Sequence, residues 1–302
     1  MSGHSDSLKS ILYALGANFA IAVSKTAGAA FTGSSSMMAE AIHSYADCGN
    51  QALLLWGMKE AKRPATPDHP LGHGKASYFW SFIVALMLFS MGGLFSIYEG
   101  VHKLHSTEPL QYAWVAVAIL AFGVVAEGMS LWGALSEVRK GLNGKSLWQW
   151  FRSTRQSELL VVVGEDIAAL GGLAMALGFI LLAIVTGNPM WDAVGSIAIG
   201  TLLVLVAFLV GAEVKALLVG QSAEPAELER MRTFLTAQPE VAQLYNLLTQ
   251  QLGNDIMVSI KARMHLTGSE EGLIHAINRV EKGFREAFPS VRWVFFEPDL
   301  AD

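Results

Sequence analysis

Charge and cysteine are the two things this 302-residue chain has least of. Asp, Glu, Lys and Arg make up 16% of it, where a soluble domain carries about 25%. The single cysteine, Cys48, excludes an intrachain disulfide framework and any CxxC metal knuckle. Basic residues are few: 21 Lys and Arg against 26 Asp and Glu leave a formal charge of −5. With no basic stripe interleaved with aromatics, nucleic acid is not an expected partner. A GxxxxGK phosphate loop is missing, so ATP is not the expected energy source. No HExxH motif and no nucleophile paired with a base occur, which argues against an intramembrane hydrolase or any other enzyme. Repeats of fixed period and low-complexity segments are absent as well.

What the chain has instead is apolar length. Hydrophobic residues make up 52% of it and the mean hydropathy is +0.40. Six stretches are each long enough for the about 20 helical residues that cross a bilayer. They run from Leu8 to Phe31, Met37 to Met58, Tyr78 to Val101, Trp114 to Leu135, Leu159 to Thr186 and Trp191 to Leu217. The polar start MSGHSDSLKS, followed by an apolar run without a clear cleavage site, predicts a retained first span. Uncharged turns, TGSSS and TGNPM, join spans one to two and five to six. Lys59, Lys62, Arg63 and Lys75 lie between spans two and three, and Arg139, Lys140, Lys145, Arg152 and Arg155 between four and five. Only Lys103 falls near span ends on the other side, so both termini are expected in the cytoplasm. In the loop at 143–156, Leu147, Trp148, Trp150 and Phe151 sit among basic residues, as in a short helix at headgroup level.

Beyond Leu217 the composition becomes that of a soluble domain. GQSAEPAELERMRTFLTAQ reads as a helix, VAQLYNLLTQQLG and DIMVSIKARMHL as strands turning at Gly253-Asn254. SEEGLIHAINRVEKGFREAF is a helix beginning near Ser269, and VRWVFFEP a last strand. The expected fold is therefore a membrane α-helical domain of six transmembrane helices, residues 1–218, followed by a small cytoplasmic α+β domain of order αββαβ, residues 219–302.

Polar residues interrupt the spans at a few places. Span two contains AEAIHSYADCGNQ, residues 39–51, with Glu40, His43 and Asp47. His43 and Asp47 are four residues apart and share one helix face. An imidazole and a carboxylate on adjacent turns suit a borderline divalent cation, although such a pair also stabilises helix packing. Span five has Glu165 and Asp166 adjacent, flanked by Gly164, Ala168, Gly171 and Gly172, small residues that permit close helix approach. At helical rise Asp166 lies about 12 Å in from Glu158, and Asp47 about 18 Å in from Lys59. Span four adds Glu127. Lys25 in span one is the one base at comparable depth, and some of these carboxylates are expected to pair with it. Carboxylates at several depths point to a water-accessible cation path.

These residues resemble the cation diffusion facilitator family. The resemblance is carried by AEAIHSYADCGNQ, by PDHPLGHGK at 67–75, by YEGVHKL at 98–104 and by WDAVGSIAIG at 191–200. SLWQWFRSTRQSELLVVVGEDIAALGG looks most like its zinc transporter 9 branch. The resemblance implies a homodimer in a bacterial inner or organelle membrane that moves Zn2+ out of the cytosol in exchange for protons. Mn2+, Fe2+, Co2+ and Cd2+ are alternative cargoes, and a non-transporting metal-binding scaffold the alternative role. It implies a transport site of His43, Asp47 and Asp166. The family's remaining ligand position is Val162 here, which leaves Glu165, Glu127 or water for the fourth donor, with Glu40 on the path. Asp68, His69 and His73 fall in a loop motif that binds a further metal in some members; a packed loop brace is the other reading. Tyr245, Lys261 and Phe295 stand where some relatives have tail histidines, so the tail is expected to dimerise through strand and apolar contacts rather than metal. Cys48 is expected to pack, His102 and His105 near the outer end of span three to be solvated, and His265 and His275 to be surface residues without acidic partners at ligand spacing.

Overall fold

The structure, a computed structural model, describes residues 3–104, 112–142 and 144–301, with side chains from residue 18 onward except at 140 and 141. Helices α1 (Gly3–Thr32) and α2 (Ser35–Ala61) are followed by α3 (Ala76–Met87), which continues through a π-helical stretch, Leu88–Leu94, into α4 (Phe95–Lys103). Next come α5 (Ala113–Gly141), α6 (Leu147–Ser153), α7 (Ser157–Thr186) and α8 (Met190–Val219). The tail is α9 (Pro225–Thr236), β1 (Val241–Leu252), β2 (Asp255–Met264), α10 (Glu270–Ala287) and β3 (Val291–Pro298), the expected αββαβ order. Among the described residues four helical stretches are long and apolar enough to cross a membrane: Ala76–Lys103, Ala113–Arg139, Ser157–Thr186 and Met190–Val219. α2 is 27 residues long, but Glu40, His43, Asp47 and Asn50 dilute its apolar character.

The chain divides into two compact units. The first comprises Met1–Gly57, Trp80–Lys145 and Glu158–Val214, and Met37, Leu88, Leu120, Leu173, Ile180, Ile199 and Leu203 belong to its buried apolar core. Lipid tails are as apolar as leucine, so these helices are held by close packing and hydrogen bonds rather than by hydrophobic exclusion. Glycine makes the closest approach possible. A Cβ on Gly200 of α8 would stand 2.6 Å from the Gly93 carbonyl oxygen and 2.8 Å from Ile97 N. One on Gly100 would meet Ala193 O at 2.7 Å. The π-helical stretch thus lies backbone to backbone on α8, and Ser196 Oγ donates to Ser96 O at 2.7 Å across the same seam.

The start of α2 is tied down by a residue far away in the chain. Asp192, 3% exposed in the first turn of α8, accepts from Ser34 Oγ at 2.7 Å, Ser35 N at 2.6 Å, Ser35 Oγ at 2.9 Å and Ser36 N at 3.3 Å. Ser36 Oγ donates back to Asp192 O at 2.7 Å. The orphan N–H groups of a helix start need such an acceptor. Here the carboxylate comes from another helix.

The second unit comprises Met58–Phe79, Ser146–Ser157 and Lys215–Asp302. Its three-stranded sheet has the order β1-β2-β3, β1 antiparallel to β2 and β2 parallel to β3. Strand β2 alternates as its sequence predicts, with Ile256, Val258, Ile260 and Ala262 buried. They face a core shared with Met231 and Leu235 of α9 and Val280 and Phe284 of α10. Ser269 caps α10 by accepting from Gly272 N at 3.1 Å. The β1–β2 turn is Gly253, at φ +69°, where a residue with a Cβ would be strained. Tyr78 Oη accepts from Gly253 N at 2.9 Å, and a Cβ on Gly74 would collide with the Leu252 carbonyl. The 58–79 segment is therefore built against the turn of the sheet, and Arg155 Nε donates to Ser222 O at 2.8 Å from the 146–157 segment.

Phe284 is fully buried, its ring 4.9 Å from Phe288 and 5.8 Å from Phe234. Phe284→Ala is expected to cost the tail about 3–5 kcal/mol, read as an earlier unfolding transition of the full chain. Leu248→Ala, at a site 62% exposed, should leave that transition in place; equal shifts would contradict the core described here.

Within α6, Trp150 is buried at 6% exposure. Leu147 and Trp148 are the exposed residues, and Trp148 stacks on Phe151 at 5.7 Å. His275, expected without an acidic partner, has Glu271 at 3.8 Å, one helical turn earlier.

Candidate cation site

Helical periodicity puts residues 40, 43, 44, 47, 50 and 51 of α2 on neighbouring turns of one side. The structure buries Glu40, His43, Ser44 and Asn50 there. Where α2 meets α5 and α7 there is a cavity of about 50 Å³, against the roughly 10–15 Å³ that one water requires. Asp47, Ser44 and Gln51 line it from α2, and Glu127 and Ser130 from α5. From α7 come Val162, Glu165, Asp166 and Ala169, and from α1 Asn18.

Two of the lining carboxyl groups have hydrogen-bond donors. Asp166 accepts from Ser130 Oγ at 3.2 and 3.4 Å on its two oxygens. Glu165 Oε1 accepts from Asn50 Nδ2 at 2.5 Å, and Glu165 is 6% exposed. Asp47 Oδ1 stands 3.5 Å from His43 Nδ1. Glu40 does not line the cavity; its Oε2 is 3.2 Å from Lys25 Nζ, which also donates to Ser44 Oγ at 2.7 Å. Sequence reasoning expected Lys25 to take a carboxylate, and Glu40 is the one.

His43 is 1% exposed and stands behind Asp47, outside the cavity lining. Neither ring nitrogen makes a hydrogen bond. Its Nδ1 faces Gly92 of the π-helical stretch, 3.7 Å from where a Cβ would be. Of the sequence-derived set, then, Asp47, Glu127, Glu165 and Asp166 share one cavity, with Val162 in the lining beside them. Among the described residues no three His, Cys, Asp or Glu side chains converge to hold an ion in this conformation.

In the second unit the His69 and His73 rings pack at a tilt, centroids 4.4 Å apart, and His73 Nδ1 is buried without a partner. Asp68 is exposed. Cys48 is half-buried outside the cavity lining. His102 is exposed and stacked on Tyr98, His265 is exposed, and His105 lies outside the described residues.

Sequence reasoning missed Asn18, Asn50, Gln51 and Ser130. Asn50 and Gln51 follow Asp47 by three and four residues, and Ser130 follows Glu127 by three. That spacing was the signal available; neutral polar residues drew no attention beside the acids.

The arrangement has a clear chemical consequence. Four carboxyl groups line one small cavity among apolar helices, and no Lys or Arg lines it with them. Such groups are ionised there only when a cation compensates them, and otherwise carry protons. Asp47 Oδ1, Glu40 Oε1 and Asn50 Oδ1 are buried acceptors without a hydrogen-bond donor, which is what a cation or water would satisfy.

Comparison with known proteins agrees with this chemistry. The chain is 37% identical over 241 residues to the mitochondrial proton-coupled zinc antiporter SLC30A9 of Xenopus laevis, covering 79% of this chain and 43% of that protein. Metal tolerance protein C4 of Arabidopsis thaliana is 32% identical over 250 residues, 82% of this chain and 54% of its own length. The cation-efflux pump FieF of Klebsiella pneumoniae is 27% identical over 267 residues, 86% of this chain and 81% of its own. The chain thus spans about two-fifths of the length of the zinc antiporter it matches. A cation efflux transmembrane domain matches residues 11–219. That match covers more than half of a chain whose apolar helices make it a multi-pass membrane protein, and the chain belongs to the cation efflux family.

Proposed function

We propose that the chain is an efflux transporter for divalent cations, with zinc as substrate, exchanging its cargo for protons by alternating access. The observation that carries this reading is the set of carboxyl groups from α2, α5 and α7 on one cavity between apolar helices. A metal ion requires ionised carboxylates and a neutral imidazole, so its arrival expels protons and their return resets the site. The names of the relatives, proton-coupled zinc antiporters and a cation-efflux pump, support both cargo and coupling. Asp47 and Asp166 are assigned as ligands, with His43 turning toward Asp47's side of the cavity to add nitrogen. Glu165 or Glu127 supplies the donor that Val162 lacks.

The oxygen-rich lining also favours a second reading, in which Mn2+, Fe2+ or Co2+ is the cargo. The remaining assignments follow the family. Six spans, residues 1–218, form the transport domain, and residues 219–302 a cytoplasmic dimerisation domain in a homodimer. Both termini are cytoplasmic, the membrane is bacterial inner or organellar, and Asp68, His69 and His73 form a further metal site.

Proteoliposomes holding the purified chain and a pH dye test the proposal. Imposed Zn2+ is expected to enter with opposite proton movement, and Mn2+, Fe2+, Co2+ and Cd2+ rank the cargo by the same readout. Metal binding without flux would replace the transporter by the scaffold; neither binding nor flux would overturn the assignment.

A further inference from the structure

Lys25 is fully buried, an ammonium group inside a bundle of apolar helices. Its Nζ has two partners: Glu40 Oε2 at 3.2 Å and Ser44 Oγ at 2.7 Å. Space for Glu40 is made by glycine, since a Cβ on Gly172 of α7 would collide with its Oε1, which has no hydrogen-bond partner. Lys25 Cε is in ordinary contact range of Gly123 of α5. The ion pair thus sits where α1, α2, α5 and α7 meet.

The pair is lopsided with respect to the cavity. Ser44, which holds the ammonium, is itself part of the cavity lining. It stands one turn before Asp47 on α2, a spacing that brings Cβ atoms to about 5–6 Å. Glu40 begins a full turn further off, seven residues before Asp47. The positive pole of the pair is therefore nearer the cavity lining than the negative pole, whose Oε1 lies against Gly172 of α7. A replaceable helix staple would place no charge here, since buried ion pairs are seldom better than apolar residues of equal volume.

We infer that Lys25 is a fixed countercharge of the cation site, a positioning residue that weakens the hold on a divalent ion enough for it to leave. The inference rests on the transport reading above. At the effective dielectric of protein sites, a unit charge within about 10 Å of a doubly charged ion changes its binding by tenfold or more. Glu40 offsets part of this field, so the two residues act on affinity with opposite signs.

Zinc titration calorimetry on the purified full-length chain, with flux measured in parallel, tests it. Lys25→Met is expected to bind zinc roughly tenfold more tightly, and to turn over more slowly at saturating zinc. Glu40→Gln is expected to bind roughly tenfold more weakly, and Lys25→Arg to restore the unaltered values. A purely structural pair would move both variants in the same direction. Where Lys25→Met does not fold, the double variant Lys25→Met with Glu40→Gln removes both buried charges at nearly constant volume, and is expected to bind more tightly than the unaltered chain. Equal affinity in that double variant, or shifts of one sign in the two single variants, would overturn the countercharge. An unaltered chain that binds no zinc would overturn the transport reading and this one together.

Discussion

Asp47→Asn and Asp166→Asn are each expected to lower zinc flux by on the order of a hundredfold or more, with the chain still folded and dimensionally unchanged. The reason is electrostatic. Asparagine keeps the shape and one oxygen but cannot neutralise a divalent ion, and it has no proton to exchange for one. Changing even an outer partner of a metal ligand costs 10–100-fold, so a charged ligand should cost at least that. Ser130→Ala, which removes only the hydroxyl that holds Asp166 at 3.2 Å, should fall in the milder range. Comparing Glu127→Gln with Glu165→Gln then identifies the fourth donor, because only one of them should approach the Asp166→Asn loss. Radioactive or fluorescent zinc uptake in proteoliposomes reads all five. Undiminished flux in either aspartate variant would remove the site.

Asp192→Ala is expected to destabilise the helical unit by about 3 kcal/mol or more. The truncation strands the Ser34 and Ser35 hydroxyls and the Ser35 and Ser36 N–H groups, all within the buried start of α2. Each buried donor left without an acceptor costs about 1–3 kcal/mol. The cap is buried, so water does not readily replace the carboxylate. Asp192→Asn keeps one acceptor oxygen and should lie between the two. Thermal unfolding in detergent measures the loss, and flux by the surviving fraction should keep its zinc KM because Asp192 does not line the cavity. An unchanged unfolding temperature would show that the cap is dispensable.

Much of this was readable before any coordinates. The apolar stretches, the period-two β2 strand, the Ser269 cap and the Gly253 turn each follow from a few consecutive residues, and each appears where those residues put it. The acids of α2, α5 and α7 were also legible, because a carboxylate inside an apolar run is conspicuous by itself. The neutral residues that support them were not. Asn50 matters through Glu165, 115 positions away, and Asp192 through Ser35, 157 away.

The π-helical stretch at Leu88–Leu94 is a further case. Nothing in LFSMGGL distinguishes it from an ordinary helical turn; in the structure Gly93 lies against the backbone of α8.

Local chemistry, acting over one or two turns, determined which segments are helices and strands and which of them carry charge into an apolar layer. That choice depends on hydration and backbone hydrogen bonding, which each segment settles alone. Tertiary structure decided which carboxylates share a cavity, that His43 stands behind Asp47, and that Lys25 answers to Glu40. Those outcomes depend on the rotation of one helix against another, which packing and hydrogen bonds between distant segments set.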